Sequence, residues 1–455
     1  MTSDTQFPNK TVDENKTNRL ILFIGILFFR ISLDISYVKI IHEEYYLYGF
    51  YLKTNYFYYV ISYFSFILMV LFLLRIVDLK RPGSFLLLTL FLFGYIPNMS
   101  LFSNMDLPMS FYLMSNIYWF LTILFYYYFS HLKNHSLEKK AHVNGTTITK
   151  TNVYMFFVVM FILIVSYSIT YYKGIRLSVD LRDSINARLD SRGKIGKIFS
   201  LLLPWASSII FPLGMIIGIK CKNYLLLGLM CLGVIFAFTV NGVKTWLFVS
   251  VLSCFFAIFL KKEKQFCLLP FILVVINFFS FLFKQTALAD FFNYYILRRI
   301  YFGTSLNNYY WIDFFSKNPK LYFTNSVLGW LRRFIKVPYS DNVSSVIGAL
   351  YYNNEASNAA SGTIAAAYSN LGWYGLVVYP LLVSLMAILL DHVCRKTDKR
   401  IPLIYCFPVI ISGAEYLLNG SIATAFFTYG YLIGVILLAY LNKSNIFESG
   451  NKSLT

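Results

Sequence analysis

Apolar segments close to the length of a membrane-spanning helix recur along almost the whole chain. A helix needs about 20 residues to cross the hydrocarbon core of a bilayer, and its backbone polar groups must pair within the segment because lipid offers no partners. Such segments occur at about 19–39, 57–79, 84–100, 109–130, 153–171, 198–219, 224–241, 245–260, 266–283, 371–390, 402–419 and 424–441. We therefore predict an all-α fold, a polytopic membrane helix bundle of about 12 transmembrane helices.

The composition supports a bundle without a separate soluble domain. Only 13% of the 455 residues are charged, whereas a soluble domain carries about 25%. The segment at 19–39 is long enough to cross the membrane and lacks the small-residue cleavage site of a signal peptide, so we interpret it as the first span. The sequence thus predicts one transmembrane domain over 19–441, with an N-terminal tail at 1–18 and a C-terminal tail at 442–455.

The distribution of lysine and arginine predicts the orientation, because short cytoplasmic loops carry an excess of these residues. With the N-terminus in the cytoplasm, the short outer connections contain only Lys39, Lys53 and Lys244. The cytoplasmic connections then contain Arg75, Lys80, Arg81, Lys133, Lys139, Lys140, Lys150, Lys220, Lys222, Lys261, Lys262, Lys264, Arg395, Lys396, Lys399 and Arg400. Both termini are therefore predicted to be cytoplasmic.

Two outer segments are basic despite facing outward in this topology. Residues 172–197 carry seven basic and three acidic residues, and residues 284–370 carry eight and four, so each has a net charge of about +4 (7 − 3 and 8 − 4). Long loops are exported in spite of such charge. The second loop is rich in aromatic residues, which predicts short amphipathic helices that lie on the membrane surface or cap the bundle.

Arginines in these two loops are the first candidates for chemistry. A guanidinium binds phosphate through paired hydrogen bonds and stays charged at any working pH. Without a basic soluble domain, nucleic-acid binding is not expected, and the anionic partner would be a lipid headgroup or a membrane-bound substrate. We predict anion contacts from Arg176, Arg182, Arg188, Arg298, Arg299 and Arg332, and from Lys244 in the turn "NGVKTW". A solvated or headgroup-facing amphipathic helix remains the alternative for the arginines, and an anchor at the membrane interface remains the alternative for Lys244.

The acid Glu355 lies beside Asn354 and Asn358, just before a run of small residues. It could be a general base or an exposed loop acid favoured near a helix N-terminus. The small residues predict a helix from about 358 to 369, whose small face allows a close approach, either by substrate lipid in a cavity or by a neighbouring span. Asp313 and Asp341 are interpreted as surface acids or helix caps.

Charged residues within the predicted spans are few. Arg30 and Asp34 are four residues apart on the first predicted helix, which predicts a structural ion pair. Glu415 lies toward the outer end of a later span, where a carboxylate is costly and is either functional or paired. Arg30 and Lys244 are the cations considered for such a pair.

Several catalytic motifs are absent from the sequence. It contains no P-loop, no G-x-G-x-x-G at a strand–helix junction, no G-x-S-x-G and no H-E-x-x-H, and no D-x-D pair of outer acids. None of the six cysteines forms a C-x-x-C pair, which argues against a disulfide framework or a cysteine metal site. We expect neither a cofactor nor a metal, and catalysis would depend on arginines that stabilise a leaving diphosphate.

The topology and three local stretches resemble the bacterial O-antigen polymerases, the Wzy-type polymerases of lipid-linked repeat units. The stretch "LRRIYFGTSLNNYYWIDFFSKNP" (297–319) is similar to the arginine–aromatic segment that opens their large periplasmic loop. "SVIGALYYNNEASNAASGTIAAAYSNLGWYG" is similar to the small-residue segment that closes it, and "NGVKTW" to a lysine-bearing turn within the bundle.

The resemblance implies glycosyl transfer at the periplasmic face of the bacterial inner membrane, in the biosynthesis of O-antigen or another surface polysaccharide. A growing glycan would pass from undecaprenyl diphosphate to an incoming lipid-linked repeat unit. Arg182, Arg298, Arg299 and Lys244 would hold the two diphosphates, with Arg299 acting in catalysis and Glu355 as the base. The implied partners are undecaprenyl-diphosphate-linked oligosaccharides, the bilayer and a chain-length regulator.

Two other membrane functions compete with this interpretation. A flippase for lipid-linked oligosaccharides is expected to have short loops and charges along a central pathway, whereas here the charges concentrate in outer loops. An O-antigen ligase is expected to have a histidine in its large outer loop, and residues 284–370 contain none.

Overall fold

The structure, a computed structural model, describes residues 10–136, 148–175, 191, 194–259, 263–283, 286–325, 329–339, 342–355, 357–395 and 401–444. Within these ranges the chain is helical and forms no strand; Ile148 and Ser444 make one isolated bridge. Nine helices there are long and apolar enough to cross a membrane: Lys16–Tyr48, Tyr56–Ile76, Pro82–Met105, Met109–Leu132, Lys150–Tyr172, Lys197–Lys220, Tyr224–Asn241, Gln265–Leu282 and Thr363–Cys394.

Four apolar helices are shorter: Lys244–Phe259, Val343–Tyr352, Leu403–Leu418 and Tyr431–Asn442. The nine long helices coincide with nine of the predicted spans, and three of these shorter helices coincide with the other three. Elsewhere in the described ranges the helical segments are Glu263–Leu268, Ala287–Phe292, Asn293–Gly303, Thr304–Lys317, Gly329–Arg333 and Thr424–Thr428. The prediction of a multi-pass helical membrane bundle is confirmed, although three predicted spans are only 16, 16 and 12 residues long as helices.

The two most enclosed long helices each contain a wide turn just before a proline. In Pro82–Met105 the turn Phe91–Tyr95 precedes Pro97, and Lys197–Lys220 repeats this arrangement before Pro212. Proline lacks the N–H that would continue the regular ladder, and a wide turn absorbs the extra space its ring requires. Within their most apolar windows 89% and 83% of residues are buried, so these two helices form the centre of the bundle.

One end of the bundle carries the helix Thr304–Lys317, and we call it the loop end. At the opposite end the carboxylate of Asp391 joins three helices. It accepts hydrogen bonds from the Tyr126 hydroxyl (2.6 Å) and from the backbone N–H of Gly83 (2.7 Å). A Cβ on Gly83 would overlap the carbonyl oxygen of Ala387, so only glycine allows this close crossing.

The predicted pair of Arg30 and Asp34 is confirmed, with Nε and Oδ2 3.3 Å apart. Arg30 is fully buried and also donates to the carbonyl oxygens of Ile96 (3.1 Å) and Met99 (3.0 Å). Asp34 accepts from the Tyr63 hydroxyl at 2.7 Å. The pair therefore fastens the first helix to the two that follow it.

The aromatic loop forms one continuous helix over residues 287–317, which we call the loop helix. It is far longer than the short helices that the sequence predicted and is partly buried, whereas Gly329–Arg333 and Val343–Tyr352 of the same loop are short helices. Leu297, Tyr301 and Phe302 are fully buried. The Tyr301 ring lies 5.5 Å from the rings of both Phe29 and Phe93. The loop helix is therefore packed into the loop end of the bundle. This position fits the alternative in which helices of the loop cap the bundle.

The small-residue helix begins at Thr363, not near residue 358 as the sequence predicted. The indole N–H of Trp311 donates to the carbonyl oxygen of Ala359 (2.9 Å), and the Ala359 N–H donates to the carbonyl oxygen of Ser344 (2.9 Å). These bonds hold residues 358–362 in a non-helical conformation. A Cβ on Gly362 would meet Leu418 O at 2.8 Å, so small residues here serve close packing.

Candidate functional site

The guanidinium of Arg298 lies in a cage of tyrosine rings. Its carbon is 3.9 Å from the ring centroid of Tyr48, 4.2 Å from that of Tyr294 and 5.4 Å from that of Tyr45. Each such contact stabilises the cation by about 0.5–2 kcal/mol. The Nη1 atom is buried and has no hydrogen-bond partner among the described residues. The rings therefore orient the charge, and one buried donor of the guanidinium is left unsatisfied among the described residues.

Arg299, the next residue, is exposed. It stands four residues after Tyr295 on the same helix, and residues at this spacing lie on one face of a regular helix. The loop helix thus offers one caged guanidinium and one solvent-facing guanidinium at successive positions of the chain.

Wide turns shape the part of the loop helix that carries both arginines. Residues Asn293–Gly303 form eleven residues of π-helix, whose turns close five residues apart. A Cβ at Gly303 would lie 2.7 Å from the carbonyl oxygen of Arg298. Glycine at this position allows the wide turn to close, and turns of this kind are often found at functional sites.

Lys244, at the start of the helix Lys244–Phe259, reaches the same helix. Its Nζ lies 3.2 Å from the Tyr295 hydroxyl and 5.4 Å from the centroid of that ring. The structure therefore joins Lys244 to the segment that carries Arg298 and Arg299. These three predicted cations are brought to one region of the loop end.

Glu415 lies next to this group. Its Oε1 is 3.5 Å from the hydroxyl of Thr245, the residue after Lys244. The two cations considered for an ion pair with Glu415 have other contacts: Arg30 is bound to Asp34, and the Nζ of Lys244 contacts Tyr295. Glu415 is only half-buried.

A cleft of about 200 Å³ lies in the same part of the bundle, and Asn241, Trp246 and Tyr429 are among the residues that line it. The Tyr429 ring stacks on Tyr416 with centroids 3.5 Å apart, and Tyr416 follows Glu415 in the chain. Glu415 thus contacts the residue after Lys244, and its chain neighbour packs on a ring that lines the cleft, relationships that sequence spacing alone could not reveal.

Three predicted residues lie apart from this group. Arg332 is exposed and donates to Thr324 O (3.1 Å) and Asn325 Oδ1 (3.2 Å). Glu355 and Asn358 are both exposed, beside the residues 358–362 described above. In the part of the chain that is described, no contact links these three to Arg298 or Lys244.

Four residues singled out from the sequence, Arg176, Arg182, Arg188 and Asp341, lie outside the described residues. Across the described ranges, no three His, Cys, Asp or Glu side chains cluster as metal ligands.

Asp313 has a more specific environment than the predicted surface acid or cap. Its Oδ2 accepts from the Tyr351 hydroxyl at 2.6 Å, and its Oδ1 lies 2.9 Å from Lys317 Nζ. Burial and then the nearby Asp313 carboxylate raise the pKa of Tyr309 to about 12, so this phenol stays a hydrogen-bond donor at neutral pH. The four-residue spacing of Asp313 and Lys317 is the sequence signal that could have predicted their ion pair. The contact with Tyr351 could not be inferred, because Tyr351 is too distant in the chain.

No protein-family model matches the chain, and no curated protein or solved structure matches it. The residues and their geometry are therefore the basis on which a function can be inferred.

Proposed function

We propose that the protein polymerises undecaprenyl-diphosphate-linked oligosaccharide repeat units, as O-antigen polymerases do. The observation that carries the proposal is the pair of guanidiniums of Arg298 and Arg299, one caged and one exposed, at one end of an apolar helical bundle. Lys244 contacts the same helix. Diphosphates are the ligands best matched by paired guanidiniums and a nearby ammonium.

The proposal includes a topology of twelve spans in the bacterial inner membrane, with both termini in the cytoplasm. It counts the short helices Lys244–Phe259, Leu403–Leu418 and Tyr431–Asn442 as crossings, together with the nine long ones. The loop end then faces the periplasm, and the lysine- and arginine-rich short connections face the cytoplasm.

The proposed reaction is a direct displacement at the anomeric carbon of the growing glycan. A hydroxyl oxygen of the incoming repeat unit forms the new bond to that carbon, while the bond from the carbon to the diphosphate oxygen breaks. The electron pair leaves with the lipid diphosphate, whose developing negative charge Arg299, Arg298 and Lys244 stabilise. The hydroxyl proton passes to a carboxylate, and Glu355 is our candidate base.

Glu415 and Asp313 are the alternative bases that the described residues offer. Glu415 is supported by its contact with Thr245, next to Lys244. Glu355 is supported as the base by its exposure beside Asn358. The residues proposed to bind substrate are Asn358, Arg176, Arg182, Arg188 and Arg332. No step in this scheme requires a metal or a cofactor.

The experiment is a reconstitution in liposomes with the lipid-linked repeat unit of the source bacterium and no nucleotide sugar. A ladder of repeat multiples on a gel, abolished by Arg299→Ala, supports the proposal. Arg75→Ala is the matched control, because Arg75 is an exposed arginine at the opposite end. Without a ladder the polymerase proposal is wrong, and transbilayer movement of the same lipid would identify a flippase instead. A regulator that narrows the ladder on co-reconstitution would be the partner that fixes chain length.

A further inference from the structure

A second cleft of about 200 Å³ lies at the loop end, on the side of the loop helix that carries Asp313. Three segments form its walls: the start of Met109–Leu132, the helix Thr304–Lys317 and the helix Thr363–Cys394. Its volume is smaller than the roughly 300–1,000 Å³ of pockets that enclose drug-sized ligands. Neither Arg298 nor Lys244 lines it.

Aromatic side chains make up much of the lining. The rings of Tyr368 and Trp373 meet at 86° with centroids 6.3 Å apart, which gives the cleft an aromatic corner. Tyr309 meets Phe111 in the same edge-on manner, at 5.9 Å and 83°. Tyr368 is nearly buried, whereas 54% of Trp373 is exposed, so the indole offers a large ring surface at the mouth of the cleft.

Lys320 contacts the aromatic corner through the ring of Tyr368. Its Nζ lies 3.8 Å from the centroid of the Tyr368 ring, and it also donates to the carbonyl oxygen of Phe315. Burial lowers the pKa of Lys320. The corner is therefore built by a specific ammonium–ring contact.

The polar groups of the cleft include two residues from one turn of the loop helix, Asp313 and Ser316. The Asp313 carboxylate is about one quarter exposed and is held by Lys317 and Tyr351. An ionised carboxylate has about four acceptor positions, and the three hydrogen bonds from these two partners leave it able to accept another. Ser316 also lines the cleft and is exposed.

We propose that this cleft binds one sugar ring of a glycan. The apolar C–H face of the ring stacks on Trp373, and ring hydroxyls donate to the Asp313 carboxylate. An aromatic ring and a fixed carboxylate in one cleft match both the apolar faces and the hydroxyl edges of a pyranose. That the glycan is the repeat unit being polymerised rests on the proposed function; the binding of a sugar ring rests on the cleft alone.

The test measures binding of the free repeat-unit oligosaccharide, released from its lipid by mild acid, to the full-length protein. Isothermal titration calorimetry is performed in a detergent without a sugar headgroup, because such a headgroup would compete. Trp373→Ala and Asp313→Asn are each expected to weaken binding at least tenfold, and Trp373→Phe is expected to retain most of it. The matched control is Tyr374→Ala, because this neighbouring aromatic is 82% exposed and does not line the cleft.

Three results would overturn the inference: no binding to the wild type, unchanged binding in Trp373→Ala, or equal weakening by Tyr374→Ala. The last would mean that both aromatics act as membrane-interface anchors. Trp373 is exposed, so its variant is expected to fold, and a thermal unfolding scan checks this. If the liposome assay gives no ladder while Trp373→Ala still weakens oligosaccharide binding, the polymerase proposal fails and the sugar site stands. If a ladder forms while Trp373→Ala leaves binding unchanged, the sugar site fails and the polymerase proposal stands.

Discussion

The guanidinium carbon of Arg298 lies 3.9 Å from the centre of the Tyr48 ring, so a residue from the first long helix orients a charge supplied by the loop helix. Tyr48→Ala removes this ring and is expected to lower polymerisation severalfold, because one such contact is worth about 0.5–2 kcal/mol. Tyr48→Phe is expected to retain most activity, since the ring is kept. Initial rates of ladder formation measure the effect.

The control for that comparison is Tyr46→Ala, since Tyr46 lies in the same turn and is 62% exposed. Equal losses in Tyr46→Ala and Tyr48→Ala would mean that the turn as a whole matters and that the ring over Arg298 does not.

Gly303→Ala is expected to reduce activity and stability together. The added Cβ would lie 2.7 Å from the Arg298 carbonyl oxygen, so the wide turn must shift and move both arginines. Overpacking of this kind costs about 1–3 kcal/mol. Gly228→Ala is the matched control, because a Cβ there meets nothing within 4 Å. Thermal unfolding and ladder assays on both variants check this, and identical behaviour would count against a role for the wide turn.

Arg30→Leu is expected to destabilise the protein by about 3–5 kcal/mol, because it leaves the buried Asp34 carboxylate without its cation. The double variant Arg30→Leu/Asp34→Leu should recover part of this loss. Recovery should be incomplete, since the Tyr63 hydroxyl loses its acceptor. The variants are heated and then run on size-exclusion chromatography. The temperature at which half of the monodisperse peak is lost ranks their stability. A double variant less stable than Arg30→Leu alone would contradict this expectation.

Glu355→Gln is expected to slow polymerisation by about 10²–10⁴-fold if Glu355 is the base, with oligosaccharide binding unchanged. Glu415→Gln and Asp313→Asn are assayed beside it. A normal ladder from Glu355→Gln would transfer the role to one of those two acids or to Asp341. Loss of binding in Glu355→Gln would indicate a substrate contact and not a base.

The orientation can be tested by cysteine labelling in a variant whose six native cysteines are replaced. Lys336→Cys, in the large loop, should react with a membrane-impermeant maleimide in intact cells. Lys222→Cys, an exposed position at the opposite end, should react only after permeabilisation. The reverse pattern would place the loop end in the cytoplasm and rule out a periplasmic reaction.

Sequence patterns predicted the helices well because hydrophobic length and the four-residue spacing of Arg30 and Asp34 are local properties. They could not predict the cage of Arg298, since Tyr45 and Tyr48 come from a helix some 250 residues earlier. The start of the small-residue helix was misplaced for a similar reason: the Trp311 indole, a distant partner, holds Ala359 outside the helix. Tertiary contacts decide such features, and local propensity does not encode them.

The buried Arg30 has a consequence for how the chain enters the membrane. Its hydrogen-bond acceptors, the carbonyl oxygens of Ile96 and Met99, belong to the third long helix and are synthesised well after it. Until then the first helix exposes a charged pair that lipid solvates poorly. The first helix therefore reaches its final environment only when the third long helix is packed beside it, so the two depend on each other within the bundle.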